Sequence, residues 1–418
     1  MCSCDANLTL NSNENETCVY NISPEAEDFC CKFSTYLEVE GKFIVCVSGL
    51  FFNSIAILLF FNKKLSSEIF NRLLVCLMVM DNIYIVIGMI EIWINNISQE
   101  LRYPNFDHMY IYFFVLYPAR GITMCCIIYM TVMLAFQRYN AIAKPLCNHI
   151  TNPPFNNTSW LRVFKFVGPV ILFSIIFKLP EFFEVTTETI PFHDISNNTN
   201  LSSPVLSDEK IDEKYNTSTS LVVSNMRANH WYVLVYMNIS NLIVTGLIPL
   251  FMLAYFNFYI YQGMQIFIQR RVARRGIQAI DTRPDSEVIN QRNQTIILFA
   301  IVILFVVCHI SRIILNIEDM IIHHIKFTDL EKDCGYGEPY WVLITIPISE
   351  LLLKVNSSVN FFIYCAFNNS FRSVIREYVY KMFAFCGIKI LILRGSRNTS
   401  SKLCDMELVT LDKPEDLL

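Results

Sequence analysis

An apolar run of helical character at Met130–Leu146 (MTVMLAFQRYNAIAKPL) carries Gln137-Arg138-Tyr139 towards its end. A guanidinium cannot be discharged, so keeping one at the inner end of a membrane-length helix is costly. It serves either as an interfacial anchor whose charged head reaches water or for a task. A second set, Asn53, Asp81, Asn356, Ser357, Asn360 and Tyr364, falls inside other apolar runs. A carboxylate at that depth requires polar partners. A third set, Glu91, Arg120, Arg312, Glu350 and Lys354, with Tyr117 and His309, lies nearer the opposite ends of the runs. These charges can pair internally, Glu91 with Arg120 and Glu350 with Lys354 one helical turn on, or meet a charged ligand. No enzymatic motif or metal-ligand cluster accompanies them, and His323-His324 reads as a loop pair. The chemistry on offer is recognition and switching, not catalysis.

The elements that must position these groups are membrane spans. The chain has 418 residues, 53% hydrophobic and only 17% charged, where soluble domains average about 25% charged. Runs long enough to cross the hydrocarbon, which takes about 20 residues, occur at 41–62, 69–94, 109–139, 161–180, 231–260, 294–318 and 340–366. The predicted fold is therefore an all-α membrane protein, a seven-transmembrane helix bundle at 41–366. It is preceded by a polar segment, 1–40, without a cleavable signal, and followed by an amphipathic membrane-surface helix at 367–385 and a tail at 386–418. Lys63, Lys64, Arg72, Arg162, Lys165, Arg270, Arg271, Arg274, Arg275, Arg283 and Arg292 crowd one set of short loops, which places those loops in the cytoplasm and the N-terminus outside. The outer side then carries the glycosylation triplets at Asn7, Asn15, Asn21, Asn96, Asn197, Asn200 and Asn216.

The outer segments are also acidic. Met1–Glu40 has eight acids against Lys32, and Glu181–His230 has eight against Lys210, Lys214 and Arg227. Such a surface attracts cations, although glycosylated acidic loops are also simply soluble. The long polar stretch Glu181–His230 is expected to be one external loop with a flexible middle. Cys2, Cys4, Cys18, Cys30, Cys31 and Cys334 face the oxidising exterior, where disulfides form. Cys386, just past the amphipathic helix, is a candidate for palmitoylation.

Taken together, Gln137-Arg138-Tyr139 before Pro145-Leu146 on the third span, Asn53 on the first, Asp81 on the second, Pro249 on the fifth and Asn356-Ser357-Ser358-Val359-Asn360-Phe361-Phe362-Ile363-Tyr364 on the seventh resemble rhodopsin-like (class A) G-protein-coupled receptors over 41–385. The resemblance implies that Arg138, supported by Tyr139 and Tyr364, contacts a heterotrimeric G protein, and that Asn53, Asp81, Asn356, Ser357 and Asn360 form a network that rearranges on activation. In this family that network holds a sodium ion at Asp81, the one cofactor implied, but the third-helix position that usually helps is Ile127 here. Other departures are Phe361 in place of the seventh-span proline, Cys308-His309-Ile310-Ser311 in place of the sixth span's Cys-Trp-x-Pro, Gln137 and Gln291 where acids usually restrain the arginine, and Phe113 in place of the usual disulfide cysteine. The missing sixth-span proline predicts a straighter helix, and the missing acids predict high basal activity.

Leu116-Tyr117-Pro118, Leu179-Pro180-Glu181-Phe182-Phe183-Glu184 and Cys308 with Leu315-Asn316-Ile317 narrow the resemblance to invertebrate FMRFamide-type neuropeptide receptors. That implies an extracellular ligand, a basic Arg-Phe-amide-like peptide, in a pocket of Glu91, Arg120, Tyr117, His309, Arg312, Glu350 and Lys354, with Glu91 and Glu350 reading its arginine and Phe114 and Tyr117 its phenylalanine. It also implies a plasma-membrane location and, as partners, membrane lipids, arrestin and a receptor kinase, with no nucleic acid. The alternatives that stay open are a chemoreceptor, an opsin-like light receptor with retinal on Lys354, and a transporter, for which neither an inverted repeat nor broken helices are evident.

Overall fold

The computed structural model describes residues 29, 32–62, 65, 68–100, 108–143, 160–191, 217–275, 286–328 and 340–385. The runs of apolar sequence become α1 (Lys32–Phe60), α2 (Ile69–Glu100), α3 (Tyr112–Ile142), α4 (Trp160–Lys178), α5 (Tyr232–Ile266, continuing to Arg275) and α6 (Ser286–Thr328). A seventh crossing is made by α7 (Tyr340–Ser358) and α8 (Asn360–Phe367), which bend by 47° at their junction. The fold is a seven-helix bundle of a multi-pass membrane protein. Its outward faces are as apolar as its core, with Leu58, Phe251 and Ile303 exposed, as lipid contact requires. The polar side chains Asn53, Asp81, Ser357 and Asn360 are among those turned inward.

Proline placement shapes three of the helices. Tyr112–Leu116 at the head of α3 is wound as a π-helix just before Tyr117-Pro118. In α5, π-helical stretches at Tyr232–Ser240 and Leu242–Leu247 precede Pro249. A proline has no N–H to give to the carbonyl one turn back, and a widened turn is one of the ways a helix absorbs that. In α6, where Ser311 stands at the proline position, the helix is unbroken over 43 residues.

The bend between α7 and α8 arises without a proline. Val359 sits at φ −92°, ψ 0°, while the Asn53 amide donates to the Ser357 carbonyl at 2.7 Å and the Asn360 amide to Asp81 at 2.7 Å. Side chains that take over a helix's own hydrogen-bonding groups open its ladder as a proline does. Phe361 fills the proline position and stacks on Phe52, 5.2 Å between centroids. The amphipathic α9 (Asn369–Phe385) then buries Phe371 and Val374 against the base of the bundle and turns Arg372 and Arg376 outward.

The second external segment departs from expectation. It carries an antiparallel hairpin, β1 (Val185–Pro191) with β2 (Thr217–Val223), in register from Val185 opposite Val223 to Pro191 opposite Thr217. The β-branched run Val185-Thr-Thr-Glu-Thr-Ile explains it, and a reading based on polarity alone passed over it. The middle of that segment, and with it Asn197, Asn200 and Asn216, lies outside the described residues. So do Asn7, Asn15 and Asn21, the six outer cysteines, Cys386 and the tail. Asn96 lies on α2, its side chain outside the description.

Candidate functional site

Three groups of inward polar side chains run along the bundle from outside to inside. At the outer end a cavity of about 180 Å3 opens between α3, α4, α5, α6 and α7. Five of the sequence-predicted residues line it: Tyr117, Arg120, His309, Arg312 and Glu350. Glu350 is held between two arginines, Arg312 at 3.3 Å and Arg120 at 3.8 Å, and Arg120 reaches Glu91 at 3.5 Å. The expected Glu91–Arg120 pair is present. The expected Glu350–Lys354 pair is not: Lys354 turns into the bundle, its ammonium 3.2 Å from the Tyr84 carbonyl and 3.5 Å from the centre of the Tyr84 ring. Distance along one helix brought the two close, but two guanidiniums from α3 and α6 compete better for the carboxylate than one lysine that has a carbonyl and a ring at hand. Glu91 and Lys354 thus stand behind the cavity wall, and Lys354, 1% exposed, is not presented to it as a retinal-binding lysine would be. Phe114 stacks on Tyr110 and takes no part in the lining.

Sequence reasoning missed the other half of this cavity. The turn after α4 puts Lys178, Glu181 and Glu184 into its wall. Lys178 donates to Glu181 at 2.7 Å and to Asn241 at 3.2 Å. Glu184, 1% exposed, accepts from Arg227 at 2.6 Å and from Tyr232 at 2.9 Å. The available signal was two acids and a lysine within seven residues of the end of an apolar run, a density that lipid or a bare loop does not explain. Below, the His309 ring stacks on Phe305, 4.1 Å between centroids, beside a smaller apolar cavity of about 40 Å3 at Thr245, Gly246 and Ile313.

The middle group is the Asp81 network. Asn360 donates to one carboxylate oxygen of Asp81, and Ser357 is buried one turn earlier on the same crossing. Asn53 joins through the Ser357 backbone, while Asn356 is half-buried on the adjacent turn. The second oxygen of Asp81 and the side-chain oxygen of Asn53 are buried with no hydrogen-bond partner among the described residues. Ile127 of α3 is buried in the core, 4% exposed. Spare buried oxygens of this kind are commonly met by a buried water.

At the inner end, Arg138 is 3% exposed, donates to Gln291 of α6 at 2.9 Å and lies 4.1 Å from the Phe70 ring centre. It is shut in by α6 and does not face an open cytosolic cavity. Gln137 beside it leaves its side-chain oxygen buried and unpartnered. Tyr139 packs on Tyr255, Phe256 and Tyr259 of α5, and so supports the α3–α5 contact more than the arginine. Tyr364 is fully buried between Phe60 and Phe371. Sequence reasoning also missed Glu68, which accepts a hydrogen bond from Gln294 and so ties the foot of α2 to α6.

No family model matches the chain. It is similar to the "FMRFamide receptor" of Drosophila melanogaster, at 25% identity over 339 residues, covering 79% of this chain and 51% of that protein. It is also similar to the "FMRFamide peptide receptor frpr-18" of Caenorhabditis elegans, at 21% identity over 342 residues, covering 79% of this chain and 66% of that protein. The chain thus spans about half to two-thirds of the length of these relatives.

Proposed function

We propose that this chain is a rhodopsin-like G-protein-coupled receptor for an extracellular neuropeptide, of the Arg-Phe-amide type that its relatives' names suggest. The observation that carries the reading is the alignment of three buried polar groups along one bundle. An ion-paired outer cavity lies above the Asp81 network at the α7–α8 bend, and that network above an arginine whose hydrogen bond to α6 shuts the inner end. A ligand shifts such a bundle only by its differential affinity for two arrangements. Arg120, Arg312 and Glu350 join α3, α6 and α7 under the cavity, so a peptide that re-pairs any of them favours a different placement of α6. With α6 displaced, the Arg138–Gln291 bond breaks and Arg138 is released to a G-protein helix. Arrestin and a receptor kinase act on the same inner face.

The orientation follows the basic loops, with the N-terminus outside at the plasma membrane. The test is a screen of amidated peptides on cells expressing the full chain with a promiscuous G protein and a calcium readout. Arg-Phe-amide peptides are expected to evoke signals that Arg138→Ala abolishes while binding persists. Substrate uptake into vesicles without G protein, or a visible absorbance band after retinal is added, would overturn the reading.

A further inference from the structure

The receptor reading leaves open which group in the cavity recognises the ligand's charge. Glu350 and Glu91 are the acids that the sequence singles out, and both are engaged. One Glu350 oxygen faces Arg312 and the other Arg120, which also takes Glu91. Glu184 has each oxygen bound, to Arg227 and to Tyr232. Glu91 also has a buried oxygen, Oε1, without a hydrogen-bond partner among the described residues, but it stands behind the cavity wall; Glu181 differs from these three in combining an unbonded oxygen with a place in the cavity lining. It is 8% exposed and lines the cavity; one oxygen accepts from Lys178, and the other, Oε2, is buried with no hydrogen-bond partner among the described residues. A carboxylate has room for about four hydrogen bonds, and leaving part of one dry and unpaired is costly.

The placement of that oxygen is set by α3. A Cβ at Gly121 would overlap the Glu181 carboxylate, so only glycine there lets the acid lie against the helix at the cavity wall. Tyr117 and Tyr236 line the same cavity. A guanidinium suits this arrangement better than an ammonium, because it is planar, has several donors and stacks on aromatic rings. Lys178 already supplies a point charge to the far oxygen and leaves a directional acceptor to be filled.

We propose that Glu181, held over Gly121, is the residue that reads the arginine of the peptide ligand, with Lys178 as its internal competitor. The inference rests on the receptor reading above and can fail without it. The test uses the full chain in cells, surface-counted through an epitope tag, with two probes: Phe-Met-Arg-Phe-amide and the same peptide carrying citrulline for arginine. The readout is the ratio of their half-maximal concentrations. Glu181→Gln is expected to weaken the arginine peptide roughly ten- to hundredfold, the range for a charged hydrogen bond, and to bring the ratio close to one. Gly121→Ala keeps the charge but displaces it, and should lower the ratio several-fold. Lys178→Gln removes the competitor and should raise the ratio, which loss of packing alone cannot do. If Glu181→Gln fails to reach the surface, the other two variants decide. A wild-type response with a ratio that none of the variants moves overturns the role of Glu181 and leaves the receptor reading standing. No wild-type response to either probe or to any Arg-Phe-amide peptide overturns both.

Discussion

Arg138 and Glu350 show how differently one ion can be used at two depths. Arg138 has a single neutral side-chain acceptor, Gln291, at 2.9 Å. A charged acceptor would make that bond roughly twice as strong. Gln291→Glu is therefore expected to lower ligand-independent nucleotide exchange on a G protein by about twofold or more, and Gln291→Ala to raise it roughly three- to tenfold, the worth of one hydrogen bond. If both variants keep wild-type basal exchange at equal surface levels, the bond to α6 is not what holds the chain silent. Glu350 has the opposite problem, a carboxylate between two guanidiniums. Removing its charge leaves Arg312 without its acid and Arg120 with Glu91 alone, so Glu350→Gln should behave as a stability variant. The expected loss is about 3 kcal/mol, the lower end for breaking a buried pair because the Arg312 side chain is 37% exposed. A fall in melting temperature of detergent-solubilised protein without ligand would show it; loss of peptide potency with unchanged melting would instead make Glu350 a ligand residue.

At the scale of elements, the bend of the seventh crossing depends on side chains from α1 and α2. Gly49 on α1 lies against Ser358, the last residue of α7, and a Cβ there would overlap that serine, backbone included. Gly41 on the same helix has only ordinary contacts, the nearest at 3.7 Å. Gly49→Val is expected to destabilise by about 1–3 kcal/mol, the usual cost of overpacking. Gly41→Ala should be neutral or slightly stabilising, since it removes a glycine from the interior of a helix. Thermal unfolding of the two variants side by side checks this, and equal effects would show that the α1–α7 contact is looser than described. The unbroken α6 points the same way: with no proline at position 311 it has no kink to change, so a displacement that parts Gln291 from Arg138 is expected to move the helix as one rod.

For the whole molecule, segments 1–40 and 181–230 are acidic, and the loops that the proposed orientation puts in the cytoplasm are basic. An acidic mouth speeds the arrival of a cationic ligand, and the effect fades with salt as the screening length shrinks from about 10 Å at 0.1 M to about 3 Å at 1 M. Association of a labelled Arg-Phe-amide peptide should slow several-fold between about 0.05 M and 0.5 M salt, while dissociation from the buried cavity changes little. A salt-independent association rate would remove the steering role from these segments.

Composition and hydropathy alone determined that the chain is a membrane protein and that it crosses seven times. These properties are sums over many residues, so no single misjudged position alters them. The identities of Arg138, Asp81 and Asn360 were legible for a similar reason, since a polar group inside an apolar run stands out against its background, whereas Gln291, in a polar stretch before its run, stood out only through the family resemblance. Partner choice was not legible. Glu350 pairs with Arg120 and Arg312 in preference to its own helical neighbour Lys354, Glu91 retreats behind the cavity, and Glu181 and Lys178 enter it, because pairing strengths depend on distances of a few ångströms between helices far apart in sequence. The hairpin after α4 and the bend at Val359 were hidden too. The first follows from β-branched spacing within a polar segment, and the second from hydrogen bonds that Asn53 and Asn360 make only once α1, α2 and α7 have packed together.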